Sequence, residues 1–252
     1  MIVLVTGAGG GIGKAIARSF IEFGHHVILT GRVYDQLLAI AKQLGGGDRV
    51  LPLALDVTDR YAVEATISAL PDAFAAIDVL VNNAGVARGL EPAHQCSLDD
   101  WDRMVDTNAK GVMYVTHAVL PGMVRRNRGH IVNMGSIAGN WPYPGGNIYG
   151  ATKAFVRQLS LNLRADLIGT SVRVTDIEPG LVGGTNFSVT RFRGDQAKAA
   201  AVYQGSDPLT ADDVADAVYW VATRPARVNV NTIEIMPVCQ AFAPFAVNRS
   251  TM

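Results

Sequence analysis

The 252-residue chain is predicted to form a single α/β domain, a doubly wound parallel sheet with helices on both faces. Short β-branched runs alternate with longer segments of helical periodicity along the whole chain, which is typical of this fold class. Several runs, such as IVLVT at 2–6 and DVLVN at 78–82, are apolar almost without alternation, as in parallel strands covered on both faces. No Pro- or Ser-rich linker interrupts the chain, so one domain over residues 1–252 is expected.

Seven strands and six helical segments follow one another in regular order. The strands are predicted at 2–6, 26–30, 50–55, 78–82, 130–135, 171–177 and 231–236, and the helices near 12–24, 34–44, 59–70, 98–126, 148–168 and 210–223. The least regular region, residues 180–209, follows a strand and contains several glycines. Open α/β sheets bind ligands beyond the carboxyl ends of their strands, which favours a substrate lid here over a tolerated surface insertion.

The composition argues against several classes of function. Lys plus Arg equal Asp plus Glu at 22 each, without the basic footprint of a nucleic-acid binder. Cys96 and Cys239 have neither disulfide nor metal-ligand spacing. No apolar run reaches the length of about 18 residues that spans a membrane. We therefore expect a cytoplasmic globular protein that needs no metal and binds neither nucleic acid nor membrane.

Glycines crowd the point at which the first strand passes into the first helix, in LVTGAGGGIGKAIARSF at 4–20. Bare backbone lets amide groups approach a pyrophosphate, and a helix N-terminus adds partial positive charge. Such a turn is also found for purely structural reasons, but a strand before it and a second strand after the helix favour a dinucleotide site. The predicted phosphate turn comprises Gly7, Gly9, Gly10, Gly11, Ile12 and Gly13.

The end of the second strand indicates which dinucleotide binds. An acidic residue there would bind the 2′-hydroxyl of NAD, whereas an arginine accommodates the 2′-phosphate of NADP. This chain has Arg32 and no carboxylate, so NADP is favoured, with an ordinary surface arginine as the alternative.

Two later strand ends complete the expected nucleotide site. Asp56, followed by Val57, is placed to accept from the adenine amino group, although Asp is also a common helix cap. In VNNAGVA at 81–87, Asn83 is expected to hold backbone turns together, and Ala84 and Gly85 to let the cofactor lie close.

The stretch NMGSIAGNWPYPGGNIYGATKAFV at 133–156 carries the candidate chemistry. Tyr149 and Lys153 are four residues apart on a predicted helix, which puts them on one face with Cβ atoms about 5–6 Å apart. A nearby ammonium lowers the pKa of a phenol from about 10, so this tyrosine is suited to general acid–base catalysis. Ser136 is placed to hydrogen-bond a substrate oxygen as charge develops on it. A Tyr-x-x-x-Lys pair alone is better explained as a solvent-facing helix pair.

Taken together, these motifs resemble the short-chain dehydrogenase/reductases along nearly the whole chain. TGAGGGIG (6–13), NNAG (82–85), Ser136 with YGATK (149–153) and PG (179–180) fall in that family's order and spacing. The resemblance implies a Rossmann fold and a catalytic set in which Tyr149 is the acid–base and Ser136 orients the reacting oxygen. Lys153 would bind the nicotinamide ribose and lower the pKa of the tyrosine, and Asn108 would hold a water of the proton relay.

The same resemblance implies further contacts and an assembly. Residues 179–187 would cover the nicotinamide end, with Pro179, Gly180, Val182 and Thr185 as cofactor contacts. The family usually forms homotetramers, and the apolar tail at 237–247 would suit burial against a neighbouring subunit.

Four further stretches are distinctive: EPAH (91–94), GHIVNMGSIAGNWPYPGGNIYGATKAFVRQLSLNLR (129–164), VRVTDIEPGLVGGTNFS (172–188) and TIEIMPV (232–238). Through them the chain resembles, within the family, the NADP-dependent 3-hydroxy acid dehydrogenases that act on serine, allo-threonine and 3-hydroxypropionate-like acids. The substrate carboxylate would then need a cation, for which Arg191 and Arg193 are in a plausible place. Trp141 and Tyr143 are expected to wall the pocket or to fill core space. Val33 stands where relatives often carry a second basic residue after Arg32, which weakens the expected preference for NADP.

Two other functions stay open from the sequence. One is reduction of a larger carbonyl, such as a 3-oxoacyl thioester or a xenobiotic ketone. The other is a catalytically silent NADPH-binding sensor, because function is carried by the site and not by the fold.

Overall fold

A computed structural model describes residues 1–242 and contains a seven-stranded, all-parallel sheet. The strands are β1 (Ile2–Val5), β2 (His26–Gly31), β3 (Val50–Ala54), β4 (Val79–Asn82), β5 (Gly129–Met134), β6 (Val172–Pro179) and β7 (Thr232–Ile235). Their order is β3-β2-β1-β4-β5-β6-β7, so the direction of winding reverses between β1 and β4. That reversal opens a crevice at the carboxyl ends of the two strands. The predicted fold class is confirmed.

Helices cover both faces of the sheet. They are α1 (Gly11–Glu22), α2 (Tyr34–Leu44), α3 (Arg60–Ser68), α4 (Asp72–Ala75), α5 (Leu98–Val105), α6 (Gly111–Arg125), α7 (Asn147–Asp166), α8 (Phe187–Arg191), α9 (Gln196–Ala201) and α10 (Ala211–Ala222). The helix predicted at 98–126 is divided into α5 and α6 by a π turn at Asp106–Lys110. The region at 180–209 is more regular than the sequence suggests, because it holds α8 and α9 and a bridge from Val182 to Leu209.

Strands β1 to β6 each contribute to two cores. Val3 and Val5 of β1 pack with Phe20 of α1 on one face, while Leu4 packs with Met123 of α6 on the other. All five side chains are fully buried. Continuous apolar runs are therefore required here, because alternate residues of a strand enter different cores.

Local capping fixes where several helices begin. The Asp59 carboxylate accepts from the backbone amides of Tyr61 and Ala62 at the start of α3. Thr210 and Asp213 form a reciprocal capping box at the start of α10. Among residues 1–242, no helix is both long enough and apolar enough to cross a membrane. The predicted tail contact at 237–247 lies outside the described residues from position 243 onward.

Candidate active site

A cavity of about 530 Å³ opens at the carboxyl edge of the sheet. Its walls come from the glycine turn, the ends of β4, β5 and β6, the start of α7 and the region at 180–209. It brings together the following residues proposed from the sequence: Gly7, Gly10, Gly11, Ile12, Gly13, Asn83, Ala84, Gly85, Ser136, Trp141, Tyr143, Tyr149, Lys153, Pro179, Gly180, Val182, Thr185 and Arg191. Gly9, Arg32, Asp56, Val57, Asn108 and Arg193 do not line it.

The glycine turn has no room for side chains at Gly7 and Gly13. Gly7 adopts a φ of +64°, and a Cβ added there would lie 2.9 Å from the Cα of Ala84. A Cβ on Gly13 would lie 2.5 Å from the carbonyl oxygen of Gly7. The Asn83 Nδ2 donates to the carbonyl oxygens of Thr6 (2.8 Å) and Gly7 (3.2 Å), which ties the end of β4 to the turn. Asn83 thus holds backbone turns together, as expected.

The start of α1 is left open for an anion. Its N-cap, Gly10, offers no side-chain cap, and the first turn contains no acidic residue. The first amides of the helix therefore lack partners, and the partial positive charge at this end is not neutralised. The glycine turn leaves no side chain between these amides and the cavity, so the residues present fit a dinucleotide phosphate.

The residues predicted for the outer part of the nucleotide site lie beyond the cavity walls. Arg32 directly follows β2 and is exposed to solvent. Asp56 is also exposed, and its Oδ1 accepts from the backbone amide of Thr58 at 2.9 Å. Asp56 does not cap a helix, because Asp59 fills that role. Val57 is buried against Gly111 of α6, so closely that a Cβ added to Gly111 would lie 2.8 Å from the Val57 Cγ2.

Gly9 completes this outer part. Its carbonyl oxygen accepts from the Gln36 Nε2 at 2.9 Å, and a Cβ on Gly9 would lie 3.0 Å from the Gln36 Oε1. The glycine turn is thereby held against α2.

Tyr149 lies in the first turn of α7 with its ring inside the cavity. The Arg191 Cζ is 5.2 Å from the centre of this ring, and the Lys153 Nζ is 5.8 Å from it. Burial raises the pKa of Tyr149, and the Arg191 charge and a side-chain hydrogen bond with Ser136 oppose that rise. The sequence assigned the lowering of the tyrosine pKa to Lys153, and that role stays a prediction; Arg191 is a second cation beside the ring, which the sequence did not assign to this role.

Lys153 is turned toward the backbone of β5. Only 7% of it is exposed, and its Nζ donates to the carbonyl oxygen of Met134 at 2.7 Å. Burial lowers the pKa of Lys153 to about 8, while the charge of Asp176 acts in the opposite direction. The Nζ also lies near Gly85, where an added Cβ would be 3.5 Å away.

Ser136 is held at the end of β5 by its own turn. Its Oγ accepts from the backbone amide of Ala138 at 3.1 Å and donates to the carbonyl oxygen of Pro179 at 3.4 Å. Both partners are backbone groups at the cavity wall, so the hydroxyl is fixed beside Tyr149.

Asn108 lies in the π turn between α5 and α6 and is buried. Its Oδ1 accepts from the amide of Val86, and its Nδ2 donates to the carbonyl oxygen of Val86, both at 2.8 Å. Its Nδ2 also donates to the Thr152 Oγ1 at 3.1 Å. The side chain therefore joins the loop after β4 to α7, which it contacts at Thr152, the residue before Lys153. π turns within helices are frequent at functional sites. The relay water assigned to Asn108 stays a prediction.

The two arginines of the 180–209 region differ sharply. Arg191 donates from Nη2 to the Tyr143 hydroxyl at 3.1 Å, and its Cζ lies 5.2 Å from the centre of the Phe187 ring. Arg193 is instead ion-paired with Asp100, has 56% of its side chain exposed and does not reach the cavity. Of the pair proposed from the sequence, the structure brings only Arg191 to Tyr149.

The outer wall includes residues that the sequence did not indicate. The ring of Trp141 lies 4.3 Å from that of Phe242, and its Nε1 donates to Glu234 at 3.1 Å. Phe187, Tyr203, Gln240 and Phe242 also line the cavity. The Gln240 Oε1 accepts from the amide of Leu181 at 2.7 Å, so the C-terminal segment closes one side. No motif marks these residues, because their position depends on how distant segments pack.

Within residues 1–242, no group of three or more His, Cys, Asp and Glu side chains is placed to hold a metal ion.

A parallel sheet with a bare glycine turn and a Ser, Tyr and Lys cluster at its carboxyl edge defines the short-chain dehydrogenases. The chain matches that family over residues 1–196 and belongs to it, which confirms the family predicted from the sequence. It is 62% identical over 250 residues to the NADP-dependent 3-hydroxy acid dehydrogenase YdfG of Salmonella typhi, covering 99% of this chain and all of the relative. It is 51% identical over 249 residues to sulfoacetaldehyde reductase 2 of Chromohalobacter salexigens, covering 98% of each.

Among solved structures, the closed form of serine dehydrogenase complexed with NADP+ superposes with a TM-score of 0.97 at 59% identity. The match covers 99% of this chain and 100% of that one.

Proposed function

We propose that the chain is an NADP-dependent oxidoreductase that transfers a hydride between the nicotinamide and the hydroxyl-bearing carbon of small 3-hydroxy acids such as serine, allo-threonine and 3-hydroxypropionate. The observation that carries this proposal is the position of Arg191, a cation enclosed in the same cavity as Tyr149 and Ser136. The names of the similar proteins support the same cofactor and substrate class.

In this proposal the nucleotide is held mainly by backbone. The glycine turn and the open N-terminus of α1 bind the pyrophosphate, Arg32 binds the 2′-phosphate, and Asp56 and Val57 lie at the adenine. Asn83 to Gly85, Lys153, Pro179, Gly180, Val182 and Thr185 contact the nicotinamide half. When bound, NADP supplies the two-electron acceptor or donor for the hydride.

The chain's own residues carry the proton. During oxidation, the Tyr149 phenolate takes the proton of the substrate hydroxyl at Oη, and Ser136 donates a hydrogen bond to the substrate oxygen. The Lys153 ammonium and the Arg191 guanidinium favour the phenolate, because opposite charge lowers the pKa of a phenol. Asn108 holds a water of the relay that carries the proton away.

Arg191 also gives the site its selectivity. Its Nε is buried without a hydrogen-bond partner among the described residues, and a guanidinium binds carboxylate through paired N–H groups. Residues 180–209 act as the lid that brings this arginine over the substrate. A bulky ketone or a thioester has no anion that needs such a partner.

A second candidate is reduction of a small sulfonated aldehyde, which the similarity to sulfoacetaldehyde reductase 2 favours. A sulfonate is an anion of comparable size, and the same arginine would bind it. The homotetrameric state and the cytoplasmic location inferred from the sequence stay predictions.

The test is an initial-rate panel of serine, allo-threonine, 3-hydroxypropionate and, for reduction, sulfoacetaldehyde, each with NADP(H) and NAD(H). Arg191→Ala should raise KM for the acids about 10- to 150-fold, because charge-assisted hydrogen bonds contribute about 1.5–3 kcal/mol. Arg193→Ala, the matched control from the same lid, should change KM less than about twofold because its charge is exposed.

Three results would contradict the proposal. NADPH-dependent reduction of bulky ketones, indifferent to Arg191→Ala and without turnover of the acids, would favour the larger-carbonyl reductase. Stoichiometric binding of NADPH without turnover of any substrate would favour the sensor. Equal effects of the two arginine substitutions would remove Arg191 from its assigned role.

A further inference from the structure

A pair of buried carboxyl groups lies behind the cavity. Asp176 and Glu178 are two residues apart on β6, so their side chains point to the same face, on which α7 packs. Each is only 1% exposed. Acidic residues on the buried face of a central parallel strand are costly and need an explanation.

The two carboxyl groups are not neutralised in the same way. Glu178 accepts from the Asn140 Nδ2 at 2.7 Å, and the Arg157 Nε lies 3.4 Å from its other oxygen. Neither oxygen of Asp176 has a hydrogen-bond partner among the described residues. Asp176 is therefore a buried carboxyl group whose charge is not balanced by its immediate contacts.

Lys153 and Asp176 both contact the segment in which β5 ends and the next turn begins. Lys153 donates to the carbonyl oxygen of Met134. Asp176 lies against the next residue, Gly135, so closely that a Cβ there would be 2.5 Å from its Oδ1. The third residue of this turn is Ser136. The buried ammonium and the buried carboxyl group thus face the segment that presents the serine hydroxyl.

We propose that Asp176 is a positioning residue, whose buried carboxyl group becomes, as it ionises, the counter-charge that keeps Lys153 an ammonium ion beside Tyr149. The effect of Asp176 on turnover rests on the proposed function, whereas its effect on the charge of Lys153 does not. Asp176 is not among the residues that line the cavity, and it acts through Lys153.

The charged groups around this pair support the assignment. Arg157, on the same helix as Lys153, is committed to Glu178, and Arg191 of the lid lies over Tyr149. Glu234 of β7 accepts from Asn140 and Trp141. Level with Asp176 on the neighbouring strands stand the uncharged residues Asn133 and Thr232. Among the described residues, Asp176 is the carboxyl group whose charge opposes the effect of burial on the pKa of Lys153.

The direction of each titration follows from this arrangement. Burial lowers the pKa of Lys153 to about 8, and burial together with Glu178 raises the pKa of Asp176 to about 8. As the pH rises through this range, ionisation of Asp176 offsets the tendency of Lys153 to lose its proton. Lys153 therefore keeps its charge to a higher pH than burial alone would allow.

The test is direct titration of Lys153 by NMR in protein labelled with ¹³Cε-lysine, without and with saturating NADP+. The chain has only five lysines (Lys14, Lys42, Lys110, Lys153 and Lys198), and Lys153 is the buried one, so Lys153→Arg assigns its signal. Asp176→Asn should lower the titration midpoint of Lys153 by about one pH unit or more, as expected for loss of an opposite charge.

Glu178→Gln is the matched control, because it removes a buried carboxylate from the same face of the same strand. It should leave the Lys153 midpoint unchanged or raise it, since Asp176 ionises more readily without Glu178 beside it. In turnover, Asp176→Asn should lower kcat for oxidation most strongly above the new midpoint of Lys153, and Glu178→Gln should not reproduce that pH dependence.

An unchanged Lys153 midpoint in Asp176→Asn, or an equal fall in Glu178→Gln, would overturn the proposal. Asp176→Ser, which also relieves the contact with Gly135, provides a second variant. Failure of both Asp176 variants to fold would likewise overturn it, because the carboxyl group would then be needed for the fold itself. If the wild-type protein turns over no hydroxy acid, the titration still decides this inference, and the failure belongs to the proposed function alone.

Discussion

The two halves of the site are built by opposite means. The nucleotide half, from β1 through α1 to the end of β4, is formed by backbone: glycines that exclude a Cβ, unpartnered helix amides and Asn83 tying two strand ends together. The catalytic half, from β5 through α7 to the lid, is formed by buried and partly buried charged side chains, among them Lys153, Asp176 and Arg191. Backbone sites tolerate almost no added volume, whereas charged sites depend on which neighbours balance them.

The largest expected effect lies in the catalytic half. Tyr149→Phe removes the hydroxyl that takes the proton, so kcat should fall on the order of 10²- to 10⁴-fold, the usual contribution of general acid–base catalysis. Tyr203→Phe removes another hydroxyl from the same cavity, one bonded to Ser188 at 2.7 Å, and should keep most of the turnover. Near-full turnover in a folded, NADP-binding Tyr149→Phe protein would remove this tyrosine from the mechanism.

A smaller effect is expected from adding one methyl group to the nucleotide half. Gly13→Ala places a Cβ 2.5 Å from the Gly7 carbonyl oxygen and 2.9 Å from the Cα of Ala8, and backbone cannot swing aside. Overpacking of this kind costs about 1–3 kcal/mol, which corresponds to a fall in Tm of roughly 2–4 °C per kcal/mol, and NADP should bind more weakly.

Gly10→Ala is the control for that substitution, because its Cβ would meet only the Gly7 carbonyl oxygen at 3.5 Å, an ordinary contact, and its φ of −85° suits any residue. Calorimetry should find the Tm of Gly10→Ala close to that of the wild type. Equal melting of the two variants would mean that the turn is not set by steric exclusion.

The smallest predicted effect concerns pH. Burial raises the pKa of Tyr149 and Arg191 lowers it, so Arg191→Ala should raise it further. Oxidation needs the phenolate, and the rising limb of kcat against pH, measured at saturating substrate, should therefore move to higher pH by about one unit. Arg193→Ala, whose charge is paired with Asp100, should leave the limb in place. A shift to lower pH in Arg191→Ala would contradict the assigned electrostatics.

Features that depend on a local pattern of residues, such as an apolar run or a glycine spacing, could be predicted from the sequence. The seven strands were found because continuous apolar runs are what two-sided burial demands, with ends that differ by one or two residues. The glycine turn was found because its spacing follows from the turn itself. The long helix at 98–126 was predicted without a break, because the π turn that divides it leaves no mark on the apolar pattern.

The region at 180–209 shows what the sequence could not predict. Arg191 and Arg193 are two residues apart and chemically identical, and nothing local separates the one that faces Tyr149 from the one that pairs with Asp100. Asp176 and Glu178 did leave a signal, since two acidic residues stand at the end of a predicted strand in VRVTDIEP. The roles of Asp176 and Glu178 could not be inferred from that signal. These roles depend on Lys153, Arg157 and Asn140, which belong to other parts of the chain.

The amino-acid sequence by itself determined the doubly wound sheet and the glycine turn, because the apolar period and the glycine spacing are properties of neighbouring residues. The order and spacing of its motifs pointed to the family, and through that resemblance to the Ser136, Tyr149 and Lys153 set. The tertiary structure alone decided which cation lies on Tyr149, which carboxyl group acts on Lys153, and that the C-terminal segment walls the cavity. Charge effects and close packing act through space between residues far apart in the chain, and only the folded chain brings those residues together.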